Sequence, residues 1–157
     1  MTEKFTFFWS GPFSQWHKAP FEVDHIIFNC AEQYMMYYKA ILHDDRETSQ
    51  KILMASNPRV QKNLGRTVVG FDYHLWSNNC ELIVKDGNMA KFTQNSLLGQ
   101  TLKATAGTTL VEASPCDKIW GIGLKEDDPR ALSRETWQGQ NKLGKVLTEV
   151  RIELFGG

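Results

Sequence analysis

Long apolar runs are missing from this chain: no uninterrupted stretch of its 157 residues approaches the ~18 that a membrane-spanning helix needs. Net charge is missing too, because 18 Lys and Arg balance 18 Asp and Glu. That balance removes the strong positive field on which sequence-independent nucleic-acid binding depends, while leaving room for a local basic pocket. Cysteine is scarce. Cys30, Cys80 and Cys116 are odd in number and lack CxxC spacing, so they form neither a disulfide framework nor a zinc site. All three are expected to be reduced and partly buried. The four histidines, His17, His25, His43 and His74, show no HxxxH spacing, so no metal is expected. The polar segment Met1 to Lys4 lacks the basic-then-apolar layout of a signal peptide. The expectation is a cytoplasmic protein with no membrane association, folded as a single domain over residues 1–157.

What is present is a chain of short aromatic strands and apolar helices. Phe5 to Trp9 is β-prone, and Phe21 to Val23 with Ile26 to Phe28 reads as two strands around a turn at Asp24-His25. Between them, Ser10 to Pro20 is a loop with Phe13, Ser14, Gln15, Trp16, His17 and Lys18 in succession. Asn29 is positioned to cap a helix, with Glu32 three residues on as in a capping box. That helix, through Leu42, is apolar on most sides and should be central. Further helices are expected from Asp45 to Ala55, from Asn57 with Pro58 at the first helical position, and from about Leu75 to Gln94. Thr108 to Glu112 reads as a strand, Ser114 to Gly123 as a loop and Lys125 to Arg130 as an exposed charged segment. Leu143, Val146, Leu147, Val150 and Leu154 form an apolar stripe at the helical period. The sum is an α+β fold, mainly helical with a few short strands.

Several residues carry chemistry or a blander role. Lys91 falls ~20° from Cys80 around the helix, inside the apolar stripe. It either faces inward, with Gly87 one turn earlier leaving room beside it, or snorkels to the surface. Glu32 is either half of the capping box or a carboxylate facing a pocket at the start of a buried helix, where burial and the helix N-terminus pull its pKa in opposite directions. Asp117 and Trp120 lie in a glycine-bounded loop, either as a tight turn with a packed indole or as ligand contacts. Trp9, Trp16, Trp76 and Trp120 are each core or stacking platform. The Gly121-Ile122-Gly123 triplet is no dinucleotide fingerprint.

In order along the chain, Phe13-Ser14-Gln15-Trp16 with Pro20-Phe21, Cys30-Ala31-Glu32-Gln33-Tyr34 to Lys39-Ala40, Pro58 to Gly65-Arg66, Trp76, Lys91-Phe92-Thr93-Gln94 and Leu110-Val111-Glu112 are followed by Asp117, Trp120-Gly121, Asn141-Lys142-Leu143-Gly144 and Glu149-Val150-Arg151. This succession resembles the NADAR superfamily, which includes YbiA-type N-glycosidases, over nearly the whole chain. The resemblance implies an N-glycosyl hydrolase that cleaves between ribose, ribose phosphate or ADP-ribose and a nitrogenous base, with no cofactor or metal. Implied substrates are ribosylamino-pyrimidine intermediates of riboflavin synthesis or ADP-ribosylated guanine, the latter as small molecule or nucleic acid. A module that binds ADP-ribose or a nucleotide without cleaving it is the alternative. The resemblance points to Glu32, Lys91 and Asp117 as catalytic. It points to Trp76, Trp120, Ser14, Lys18, Arg59 and Arg66 as substrate-binding, with Glu32, Trp76, Lys91, Asp117 and Trp120 expected to converge on one pocket. Gln15 and Trp16 stand where the family favours Asn and Phe, which leaves substrate preference at this loop open. Lys18 is an additional lysine near the expected pocket, unranked against Lys91.

Overall fold

The computed structural model describes residues 2–157; Met1, the head of the polar segment read above, lies outside them. Chain order is β1 (Phe5–Phe8), β2 (Phe21–Val23), β3 (Ile26–Phe28), α1 (Ala31–Leu42), α2 (Arg46–Met54), α3 (Pro58–Gly65), α4 (Tyr73–Gln94), α5 (Ser96–Lys103), β4 (Thr109–Glu112) and α6 (Lys142–Phe155), with two short 3-10 turns before α6. This is the mainly helical α+β architecture read from the residues. The chain divides into two units, one made of residues 15–95 and the other of residues 2–14 with 96–157.

In the unit of residues 15–95, α1 packs against α2, α3 and α4. β2 and β3 form an antiparallel hairpin in the register Phe21↔Phe28, Glu22↔Ile27, Val23↔Ile26. The two turn residues Asp24 and His25 both take positive φ, 50° and 66°, as a two-residue hairpin turn requires. The hairpin's inward rings meet α1: Phe28 lies 5.0 Å from Tyr34 and 5.5 Å from Tyr37, with edge-to-face geometry.

The start of α1 differs from the capping box read above. Cys30, not Asn29, is the N-cap, and it makes no side-chain cap bond. The reason is that Asn29 is used elsewhere. Its Nδ2 donates to Ser56 O at 2.8 Å, and its Oδ1 accepts from Gln61 Nε2 at 3.1 Å. Gln33, not Glu32, reaches back to the Asn29 N–H, at 2.7 Å. Its amide nitrogen donates to Ile52, Leu53 and Ala55 carbonyls at the end of α2. The glycine beside Lys91 also serves another neighbour. A Cβ at Gly87 would stand 2.5 Å from Tyr34 Cδ1, so the missing side chain admits the Tyr34 ring to α4. Cys80 and Cys30 are buried, but Cys116 is exposed, against the expectation for all three.

In the other unit, β1 pairs in parallel with β4, Phe5↔Thr109 through Phe8↔Glu112. Its core holds Val111, Ile122, Leu124 and Ala131, with Phe5, Phe7 and Trp137 packed against it. α6 crosses β4 so closely that a Cβ on Gly144 would collide with the Leu110 carbonyl. Asn141, in the left-handed region at φ 53°, completes the strand edge: its Oδ1 accepts from Glu112 N and its Nδ2 donates to Leu110 O. α5 was not anticipated; its eight residues carry Gly99 inward and Leu97 outward, a pattern too short to stand out.

Gly87→Ala is a clean test of the Tyr34 contact. In an exposed helix the change stabilises. Here Tyr34, 5% exposed and held among Phe21, Phe28 and Tyr38, has no room to yield. Urea unfolding should show a loss of about 1–3 kcal/mol; a gain in stability would refute the tight packing.

Candidate active site

Glu32 is the second residue of α1 and is 4% exposed. Its backbone N–H donates to the Gln15 carbonyl at 2.9 Å, which ties the loop before β2 to the helix start. The helix N-terminus at this point favours a negative charge. Because Cys30 is the N-cap, Glu32 is out of register for a capping box, and the capping reading of its side chain falls away.

Lys91 lies in the last turn of α4 and is 0% exposed, so it faces inward and does not snorkel. Its Nζ stands 4.9 Å from the Phe92 ring centroid. Burial is the main cause that pulls its pKa down to about 7, with Cys30 opposing weakly. Near neutral pH, a large share of this amine is therefore in the uncharged, nucleophilic form. His17 feels the same region: burial first, then the charge on Lys91, lowers its pKa. The Cys30 thiol, which donates to Gln61 Oε1 at 3.2 Å, is pushed up by burial and by the Glu32 charge among smaller causes.

Lys39 was not singled out from the sequence. It follows Glu32 by seven residues, two helical turns, on the same face of α1. Its ammonium lies 4.8 Å from the Phe71 ring and 5.7 Å from the Trp76 ring. Burial lowers its pKa, Glu32 raises it and Arg66 lowers it. Glu32, Lys39, Trp76 and Arg66 thus belong to one electrostatic neighbourhood, in which Trp76 is half-buried and Arg66 exposed. The seven-residue spacing from Glu32 was the available signal.

The same unit carries an open cleft of about 360 Å³ lined by Trp16, Lys18, Asn29, Cys30, Ser56 and Pro58. Its size lies in the range of small-molecule sites. The Arg59 guanidinium stands 5.8 Å from the Trp16 ring centroid, so two of the expected binding cations, Lys18 and Arg59, border an exposed indole.

Asp117, Trp120 and Ser14 belong to the other unit. Asp117 Oδ1 accepts from the N–H groups of Ile119 at 2.9 Å and Trp120 at 2.8 Å, which closes a tight side-chain-to-backbone turn. Gly121 keeps that loop close to β4: a Cβ there would meet the carbonyls of Asp117 and Glu112 at 3.0 Å. Trp120 is half-buried, and Ser14 N–H donates to Gly11 O at 2.9 Å. Among the described residues, no group of three or more His, Cys, Asp or Glu could hold a metal ion, and no helix is long and apolar enough to cross a membrane.

Comparison with known proteins identifies the family. The NADAR domain model matches residues 7–155, and the chain belongs to that family. It is 39% identical to N-glycosidase R617 of Acanthamoeba polyphaga mimivirus, over 97% of each chain. It is 43% identical to Protein irg-1 of Caenorhabditis elegans over 82% of its own length, and spans 61% of that protein. The NMR structure of the Escherichia coli protein YbiA superposes with a TM-score of 0.79 at 28% identity, covering 98% of this chain and 86% of that one.

The burial of Lys91 has a measurable signature. Its folded pKa lies below the unfolded value near 10.5. Below pH 7 both states hold the proton, so the full desolvation cost is present. As pH rises from about 7 to about 10, the folded chain releases the proton and the unfolded chain keeps it, so the cost fades. Lys91→Met should therefore be more stable than the parent at pH 6. Its advantage should shrink with a slope of up to ~1.4 kcal/mol per pH unit above 7. A pH-independent difference in urea midpoints would show that Lys91 titrates normally.

Proposed function

We propose that this chain is an N-glycosidase that hydrolyses the bond between ribose, ribose phosphate or ADP-ribose and a nitrogenous base. The observation that carries the reading is the fully buried Lys91 amine, held near neutrality in the unit that also buries Glu32. The names borne by N-glycosidase R617 and by the Escherichia coli relative N-glycosidase YbiA support it. The single family match through residues 7–155 supports reading the chain as one domain.

In the proposed reaction the C1′–N bond breaks, its electron pair leaves with the base, and the base gains a proton. Positive charge spreads over C1′ and the ring oxygen, where the Glu32 carboxylate stabilises it and takes a proton from the attacking water. The released ribose opens to an aldehyde, with which the neutral Lys91 amine condenses reversibly, losing water to form an imine. Trp76 offers a face to the base, while Lys18, Arg59 and Arg66 receive phosphate. In its own unit, Asp117 acts by holding the loop that carries Trp120, and contributes to ribose binding or proton transfer. Ser14 is proposed as a substrate contact on the same resemblance. The substrate classes favoured are ribosylamino-pyrimidines of riboflavin synthesis and ADP-ribosylated guanine.

A chromatographic screen of ribosylated pyrimidines, NAD, ADP-ribose and ADP-ribosylated guanosine should reveal free base. A shift in melting temperature without base release from any of them would mark a binding module instead. Glu32→Gln should fold normally and lose turnover by about 2–4 kcal/mol in the barrier; normal turnover in that variant would remove Glu32 from the mechanism. Borohydride added during turnover should fix a ribosyl adduct on Lys91, located by mass spectrometry, and Lys91→Arg should abolish it. An adduct on Lys18 would move the covalent role to that lysine, and no adduct with turnover intact in Lys91→Arg would remove the imine and leave Lys91 an electrostatic role.

A further inference from the structure

Two side-chain amides join the start of α1 to the last turns of α4, and the chemistry above leaves both unused. Asn88 is 0% exposed and lies three residues before Lys91 on α4. Its Nδ2 donates to Val84 O at 2.9 Å and to Gln15 Oε1 at 2.9 Å. These bonds fix the orientation of both amides, because only a nitrogen can serve two carbonyl oxygens. The atoms left over are Gln15 Nε2, a donor, and Asn88 Oδ1, an acceptor. Both are buried and neither has a hydrogen-bond partner among the protein's own atoms. Unmet buried donors and acceptors are rare and costly in folded proteins, and a pair of opposite kind on bonded residues calls for one group that answers both.

The position of the pair narrows what that group is. The Gln15 carbonyl accepts from Glu32 N–H at 2.9 Å, so the residue that touches Asn88 also touches the helix start beside the carboxylate. Ala19 N–H donates to Asn29 O at 3.0 Å and holds the far end of the same loop. Trp16, the next residue, lines the open cleft, and Gln15 as a residue is half-exposed, so the loop that carries its amide borders that cleft. A hydroxyl both donates and accepts through one atom; a carboxylate, an ammonium or a ring edge without exocyclic groups does not.

We infer that Gln15 Nε2 and Asn88 Oδ1 receive the ribose 2′-hydroxyl, so that the site selects ribosides over 2′-deoxyribosides. This rests on the glycosidase reading, which sets C1′ near Glu32 and Lys91; the 2′-hydroxyl is on the adjacent carbon. Its oxygen accepts from Gln15 Nε2 and its O–H donates to Asn88 Oδ1, so one group satisfies both atoms. Removing it from the sugar leaves the two amide atoms unmet in the complex, which is the strongest way for a site to reject an analogue.

Calorimetric titration with ribose 5-phosphate and 2-deoxyribose 5-phosphate tests this without knowledge of the base. The parent protein should bind the ribose compound at least about tenfold more tightly. Gln15→Met, which keeps side-chain length in a loop position, should bring the two sugars within about twofold. Asn88→Ala should do the same if it folds, and Gln15→Met decides the question if it does not. Equal binding of the two sugars by the parent protein, a preference that survives Gln15→Met, or binding of neither sugar each overturns the assignment. Base release in the chromatographic screen, run beside the titration, separates these outcomes from failure of the glycosidase reading. With release intact, only the hydroxyl contact is lost; with no release, both fall.

Discussion

The buried amide bonds of Gln33 and Gln61 set the geometry on which the candidate site depends. Gln33 fastens the first turn of α1 to the carbonyls that end α2, and Gln61, 0% exposed, fastens α3 to Asn29 and to the Ala55 carbonyl. Between them they satisfy backbone groups at the exits of α2 and the entry of α1 that would otherwise be stranded in an apolar interior. With the entry of α1 fixed in this way, Cys30 becomes the N-cap, Glu32 falls at the second helical position, and the Gln15 carbonyl takes the Glu32 N–H. Losing either glutamine amide would strand several partners at once, which makes such a network worth more than its separate bonds.

The same unit tolerates a second costly feature, a wholly buried lysine. Burial does not merely tax stability here; it converts an ordinary ammonium into an amine that exchanges its proton near pH 7. The neighbouring cation Lys39 shows the contrast. It is only half-buried, rests over two aromatic rings and feels the Glu32 carboxylate, so part of its desolvation is offset. Two lysines in one unit are thus held in different electrostatic states by their surroundings alone.

What could be read from the residues was whatever local periodicity or turn chemistry encodes. The hairpin at Asp24-His25 follows from two β-prone triplets around a polar pair, and α6 from an apolar stripe of period 3.6. The stripe of α4 placed Lys91 beside Cys80 but left inward and snorkelling positions open; Asp45 and Asn57 stand at the starts expected for their helices, whereas Asp72 caps α4 ahead of the expected start near Leu75. What could not be read depends on partners distant in sequence. Asn29 looks like a cap until Gln61 and Ser56 claim its amide, and Gly87 looks like space for Lys91 until the Tyr34 ring is seen to fill it. The Gln15–Asn88 bond spans 73 positions, beyond any local pattern. The family resemblance supplied candidates that periodicity could not rank, such as Asp117, whose hydrogen bonds display a loop-holding role.

The parallel pairing of β1 with β4 bears on how the chain comes off the ribosome. Phe5 leaves the exit tunnel well before its partner Thr109, which is synthesised 104 positions later. Until Thr109 is made, Phe5, Phe7 and Phe8 have no β4 to pair with, while residues 15–95, which include the β2–β3 hairpin, are made within the interval. Parallel strands that close so late are slow to form and leave apolar side chains open to wrong partners. During translation, then, β1 is a segment that a chaperone would shelter until β4 is made.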